Sequence, residues 1–257
     1  MPAAIVTGAS VGIGRAFAQI LAREKFDLVL VARSQAQLDA LAAELRQSTG
    51  RTILTVSQDL SEPGAAEKVF GEVSRSGLEI DALINNAGFG ALGRFWEVDR
   101  QQQWQMIQVN IAALTSLTRL FLPSMIERRR GRILNVASTA AFQPGPLMAV
   151  YYASKAYVVS FSQAVHNEAR PFGVTVTCLC PGPTKTEFAQ RAGMSATKLF
   201  AGPMSMSAER VAQIGYRAMM RGKPLVIAGR LNALGAFLTR FAPMRLTAAL
   251  ARRMQET

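Results

Sequence analysis

The sequence predicts a single α/β domain built on a doubly wound, parallel sheet of seven strands with helices on both faces. Three observations carry this expectation. Short apolar runs alternate with helix-like stretches from residue 3 to about residue 228. The runs are continuously apolar, as strands covered on both faces must be, and do not alternate apolar with polar. Small, polar or charged residues suited to ligand binding stand just past the ends of six runs: Gly8, Arg33, Asp59, Asn86, Ser138 and Pro181. In an open parallel sheet, that edge is where ligands bind.

Taken in order, Ala3–Thr7 is the first strand. The helix Gly14–Arg23 follows, with Ile13, Phe17, Ile20 and Leu21 on one face. Asp27–Val31 is the second strand, and the next helix opens on the capping pattern Ser34-x-x-Gln37. Thr52–Val56 is the third strand. Ser61 is placed to cap the following helix, with Pro63 in its first turn. Ile80–Ile84 is the fourth strand, and one long helix is expected from about Arg100 to Ile126. Gly131–Ala137 is the fifth strand, and the helix after it ends near Arg170-Pro171. Val174–Leu179 and Pro224–Ala228 complete the seven. The chain divides into a domain over residues 1–229, with a substrate cover at about 183–206, and a C-terminal extension over 230–257.

Length and composition bound the function. A chain of 257 residues can bury one large core. Met1-Pro2 leads directly into a strand, which leaves no length for a cleavable leader, and no run approaches the roughly eighteen apolar residues of a membrane span. The two cysteines, Cys178 and Cys180, share one strand face and read as small core residues. A reducing, cytoplasmic setting is therefore expected. The formal charge of +12 and pI near 10.6 raise nucleic acid as a partner. The cations are mostly scattered singly, however, and no aromatic residues interleave with the clusters Arg128–Arg132 or Arg245–Arg253 as a stacking platform would require. No nucleic acid partner is expected.

Two motifs carry chemistry. Thr7-Gly8-Ala9-Ser10-Val11-Gly12-Ile13-Gly14 places three glycines and two hydroxyls in eight residues at a strand-to-helix turn. Missing side chains let the backbone approach a pyrophosphate at a helix N-terminus. Tyr151 and Lys155 are four residues apart, on one helical face. An ammonium there favours the tyrosinate and lowers a pKa ordinarily about 10, which suits a proton donor to a developing alkoxide. Arg33 and Ser34 follow the second strand, where an acidic residue would accept from a ribose 2′-hydroxyl. A guanidinium fork there suits a 2′-phosphate, so NADP(H) is the expected cofactor.

These motifs, together with Asp59-Leu60, Asn85-Asn86-Ala87-Gly88, Asn110, Ser138 and Pro181-Gly182, resemble the single-domain short-chain dehydrogenases/reductases over nearly the whole chain, and within them the 3-oxoacyl and carbonyl reductases. The resemblance implies a Rossmann-like fold and specific roles. Tyr151 is the proton donor, Lys155 its activator and a clamp on the nicotinamide ribose, and Ser138 positions the substrate carbonyl. Asn110 holds a relay water. Asp59 and the Leu60 backbone meet adenine, and Asn86, Ala87 and Gly88 line the adenosine ribose. Pro181, Gly182, Thr184 and Thr186 frame the carboxamide. Gly8, Ser10, Gly12, Ile13 and Gly14 cradle the phosphates, and a homodimer or homotetramer is expected. Val11 departs from the basic residue that many NADP-dependent relatives carry just before the second glycine.

Alternatives remain at several points. Tyr152 also neighbours Lys155 on the helix, and only the family register selects Tyr151. His166 reads as structural, and no metal site is expected. A cofactor-sensing regulator would have lost the tyrosine, lysine or serine, and none is lost. Phe188, Met194, Leu199, Phe200, Met204 and Met206 make the cover over 183–206 apolar, which suits a ketone, aldehyde or 3-oxoacyl substrate. In the extension, Leu231, Leu234, Leu238 and Phe241 recur at helical spacing until Pro243 breaks the pattern. That stripe is expected to pack over the cleft or a subunit, with contact to an anionic membrane as the second option.

Overall fold

The computed structural model describes residues 1–193 and 205–256. The apolar runs become β1 (Ala3–Thr7), β2 (Asp27–Ala32), β3 (Ile53–Ser57), β4 (Ile80–Asn85), β5 (Gly131–Val136) and β6 (Val174–Cys180). Between them lie α1 (Gly12–Arg23), α2 (Gln35–Thr49), α3 (Ala65–Ser76), α4 (Arg100–Ile107), α5 (Leu114–Glu127) and α6 (Ala149–Ala169). Beyond β6 come β7 (Thr184–Lys185), α7 (Phe188–Arg191), β8 (Met206–Ser207), α8 (Ala208–Met220), β9 (Leu225–Ile227), α9 (Arg230–Leu238) and α10 (Met244–Gln255). The main sheet has seven parallel strands in the order β3-β2-β1-β4-β5-β6-β9. The chain winds outward from β1 to β3 and then in the opposite direction from β4, so the switch point lies between β1 and β4.

Strand residues of opposite parity feed two cores. Ala4, Val6, Leu28 and Leu30 meet Phe17, Leu21 and Leu38 on one face, together with Val211 and Met219 of α8. Ala3, Ile5, Val29 and Val31 meet Val69, Val73, Leu117, Phe121 and Met125 on the other. Both faces are buried, which is why these strands read as unbroken apolar runs. Each fully buried side chain of this size contributes about 1.5–3 kcal/mol. A polar thread crosses the centre. Asn85 donates to Thr118 (3.1 Å) and to Asn135 (2.9 Å), and Asn135 donates to Ser162 (2.9 Å), tying β4 and β5 to α5 and α6.

Four local expectations are corrected. The helix expected from Gly14 starts at Gly12, with Val11 as an N-cap that offers no side-chain hydrogen bond. Ser61 does not cap α3. Its amide and hydroxyl both donate to Asp59 Oδ1 (2.9 and 2.8 Å), and Gly64, at φ 71°, takes the cap position. The long helix from Arg100 is interrupted by a π-helical stretch, Gln108–Ala113, which bears Asn110. Arg100–Glu127 is also long enough to cross a membrane and holds an 18-residue window apolar enough to do so (mean hydropathy 1.3), although no continuously apolar run was visible in the sequence. In this fold its apolar face, with Val109, Ala113, Leu117 and Phe121, packs against the sheet.

The small parallel pair β7–β8 sets Thr184 opposite Met206 and so joins the two ends of the expected cover segment. Met194, Leu199, Phe200 and Met204 lie outside the described residues.

Candidate active site

Six strand-end residues line one cleft of about 920 Å³: Gly8, Arg33, Asp59, Asn86, Ser138 and Pro181. That volume lies within the range of small-molecule sites. The cleft opens at the switch point and reaches from Arg33 and Ser34, past Gly8 and Gly12, to Tyr151 and the C-terminal helices.

At one end, Gly8 (φ 63°) and Gly12 (φ 55°) adopt the left-handed backbone that glycine accepts without strain. Gly14 stands behind this turn and does not line the cleft. A Cβ on it would lie 2.1 Å from the Gly8 carbonyl oxygen, so its role is to let helix and strand close up. Asn86 locks the turn from the neighbouring strand, its side-chain amide donating to the Thr7 and Gly8 carbonyls (2.9 and 3.2 Å). Thr7 is buried, and its hydroxyl accepts from the Asn86 and Ala87 amides (3.0 Å each). Ser10, Val11, Gly12 and Ile13 face the cleft at an α1 N-terminus that lacks a side-chain cap. Its first-turn N–H groups need acceptors, which phosphate oxygens can supply. The residues present therefore fit a dinucleotide.

Arg33 is largely exposed at the rim, with its guanidinium 4.0 Å from Asp59 across the cleft. Ser34 accepts from the Gln37 amide (3.4 Å), as the capping pattern predicts. Leu60, Ala87, Gly88, Gly182, Thr184 and Thr186 all line the cleft. A Cβ on Gly12 would meet the Thr186 methyl at 3.0 Å, which places the segment after β6 directly over the phosphate turn.

At the other end, Ser138 caps a short 3-10 turn, its hydroxyl accepting from the Ala140 amide (3.1 Å), and it also hydrogen-bonds Tyr151. Lys155 is only 5% exposed, and its ammonium donates to the Val136 carbonyl at the end of β5 (3.0 Å). Burial lowers the Lys155 pKa to about 8 against weak opposition from the Cys178 and Cys180 sulfurs, which lie beneath it in β6. Burial raises the Tyr151 pKa to about 12, and the Ser138 hydrogen bond only partly offsets it. The expected lowering by Lys155 is not seen. The ammonium lies 5.8 Å from the ring centroid of Tyr151, and excluding water from a phenolate costs more than a charge at that range returns.

The two tyrosines differ in environment. Tyr151 points its hydroxyl at Ser138 and sets its ring 5.4 Å from that of Phe188, tilted by 48°, whereas the Tyr152 hydroxyl accepts from Gln255 of α10 (2.6 Å). Tyr152 also lines the cleft, and burial raises its pKa. Asn110 does not reach the cleft wall. Its amide donates to Phe89 O and Ser154 Oγ (3.0 Å each) and its oxygen accepts from Phe89 N (3.1 Å), so it braces the strand-end loop. Asn110 and Lys155 nevertheless both crowd Gly88, where a Cβ would stand 3.0 and 3.2 Å from them. His166 is buried, with Nδ1 2.8 Å from Val176 O.

Sequence reasoning missed several lining residues: Gln102 and Gln105 of α4, Gln143, Met148, and Asn232 and Thr239 of the extension. The signal for Asn232 lay in Gly182, where a Cβ would stand 2.3 Å from the Asn232 amide nitrogen. The extension does cover the cleft, but not with the expected stripe. Leu231, Leu234, Leu238 and Phe241 are 54–72% exposed, and the small residues Asn232 and Ala236 turn inward instead. The Arg128–Arg130 cluster is largely spent within the fold, on ion pairs with Glu79 and Asp81.

The family model for short chain dehydrogenases matches residues 2–196. A very-long-chain 3-oxoacyl-CoA reductase of Phaeosphaeria nodorum is 37% identical over 180 residues, 68% of this chain but only 53% of that protein's length. Among solved structures, a short-chain dehydrogenase from Sphingobium yanoikuyae in complex with NADPH superposes with a TM-score of 0.81 at 32% identity, covering 94% of this chain and 95% of that one. The bulky-bulky ketone specific alcohol dehydrogenase from Comamonas testosteroni does so with a TM-score of 0.78 at 29% identity, covering 94% and 93%. With the seven-stranded sheet, the glycine turn at its switch point and the family match over most of its length, the chain belongs to the short-chain dehydrogenase/reductase family of oxidoreductases.

Proposed function

We propose that the protein uses NADP(H) to reduce an apolar carbonyl (a ketone, an aldehyde or a 3-oxoacyl thioester) to the alcohol. The observation that carries this is the hydrogen bond between Tyr151 and Ser138 beside a buried Lys155, in the same cleft as the uncapped α1 N-terminus. When bound, the nicotinamide supplies the hydride that adds to the carbonyl carbon. The chain supplies the rest. The Ser138 hydroxyl orients the carbonyl oxygen, and Tyr151 Oη gives it a proton as negative charge develops. A phenol pKa of about 12 keeps Tyr151 protonated at neutral pH, the form a reductive proton donor must have. A Lys155 pKa of about 8 leaves the amine mostly charged at the same pH, so it stabilises the tyrosinate left behind.

NADP(H) is favoured by Arg33 and Ser34 at the end of β2, where no carboxylate follows directly to repel a 2′-phosphate. The apolar substrate is favoured by Met148, Phe188, Leu250 and Met254, which line the cleft with Tyr151. The activities named for the Phaeosphaeria and Comamonas relatives point the same way. The test is a panel of medium- and long-chain 3-oxoacyl thioesters, bulky ketones, aldehydes and sugars, assayed with NADPH and with NADH. NADPH-dependent reduction of apolar carbonyls is expected. Turnover of sugars alone, or equal kcat/KM with both cofactors, overturns the proposal.

A further inference from the structure

We infer that α9 and α10 form a docking surface for an anionic lipid bilayer, set at the mouth of the cleft. Each helix turns one side to the cleft, α9 through Asn232 and Ala236 with Thr239 just past its end, and α10 through Leu250 and Met254. The other side of α9 is an unbroken apolar ridge. Leu231, Leu234, Phe237 and Leu238 are all more than half exposed at one-turn spacing, and Phe241 extends the ridge by packing edge-on against Phe237 (5.1 Å). Met244, Leu246 and Leu250 continue the exposure into α10. A soluble surface scatters such residues singly, and a contiguous set marks a place where something apolar binds.

Charge identifies the occupant. Residues 230–257 carry five arginines against one glutamate, a formal excess of four positive charges. Of these, only Arg252 has an acidic partner among the described residues, Glu256 at 2.6 Å. Arg230, Arg240, Arg245 and Arg253 are exposed without one. Two copies of this chain joined through the ridge would bring like charges together, which disfavours a symmetric dimer there. An anionic lipid surface accepts both features, since each arginine near it strengthens binding about fivefold. Helices of nine and twelve residues are too short to span a bilayer and are suited to lie in its interface. Leu250 is both exposed and part of the cleft wall, so the apolar surface is continuous with the cavity mouth.

The experiment is flotation of the full chain with vesicles of phosphatidylcholine alone or mixed with phosphatidylglycerol, at low and high salt. Binding to the mixed vesicles should be about tenfold or more tighter than to phosphatidylcholine, and high salt should release it. Leu234→Asn with Phe237→Asn, and separately Arg240→Ser with Arg245→Ser, should each weaken binding by about tenfold or more. All four positions are exposed, so melting temperature and NADPH binding should not change. Absence of binding to the mixed vesicles, or binding that both double variants retain, overturns the inference. A dimer in sedimentation equilibrium that the Leu234/Phe237 variant dissociates would give the ridge to a second copy and overturn it as well.

Discussion

Replacing Lys155 by methionine should make the protein more stable while destroying its activity. The magnitude follows from burial. Lys155 is 5% exposed, and its pKa falls from 10.5 to about 8, so holding it charged in the fold costs about 3 kcal/mol at about 1.4 kcal/mol per unit. Methionine removes that cost and fills similar space, but forfeits the hydrogen bond to Val136 O, worth about 1 kcal/mol. The net gain of about 2 kcal/mol corresponds to a rise in melting temperature of about 4–8 °C for a domain of this size. The pH dependence fixes the cause. Because the folded pKa is depressed, the penalty is fully present below pH 8 and fades as pH rises from about 8 towards the unfolded value of 10.5. The advantage of the variant should therefore be largest near neutrality and shrink towards pH 10. Scanning calorimetry of the cofactor-free proteins at both pH values checks this. A variant that melts at or below the wild-type temperature at pH 7, or whose advantage grows with pH, would refute the reasoning.

Three further outcomes follow from the site. Arg33→Asp removes the guanidinium at the cleft rim and installs a ribose acceptor, so the kcat/KM preference for NADPH over NADH should narrow by about tenfold or more or reverse. Gly14→Ala sets a methyl 2.1 Å from the Gly8 carbonyl, and the titrated NADPH affinity should fall together with the melting temperature. Gln255→Leu frees the Tyr152 hydroxyl from α10 and should loosen discrimination among carbonyl substrates of different bulk in a kcat/KM panel, with NADPH affinity unchanged.

Much of the fold was legible because parallel strands buried on both faces leave an unmistakable trace. Ala3–Thr7 appears with the bounds expected, and all six strand-end residues reach the cleft. What failed was local competition and long-range choice. Ser61 has the chemistry of an N-cap, but Asp59, two residues earlier, takes both its amide and its hydroxyl. Gly14 belongs to the glycine motif yet faces the strand instead of the cleft, a distinction visible only once Gly8 and Asn86 are placed around it. The side-chain partners of Asn110, Phe89 and Ser154, lie 21 and 44 residues away and carry no local signal. The extension misled most. Helical spacing finds the large apolar residues, and in α9 those face outward while the small Asn232 and Ala236 meet the cleft. Nor does any local pattern announce that Gln255 reaches Tyr152 across 103 residues.

The central claim is that Tyr151, and not its neighbour, delivers the proton. The direct test is turnover of Tyr151→Phe and Tyr152→Phe with NADPH and the best carbonyl from the panel, alongside titrated NADPH affinity. Loss of the Tyr151 hydroxyl should lower kcat by about 10²–10⁴ with cofactor affinity little changed. Loss of the Tyr152 hydroxyl, which is held by Gln255, should lower it far less. A Tyr151→Phe enzyme that retains its kcat, or a Tyr152→Phe enzyme that alone is inactive, would contradict the account.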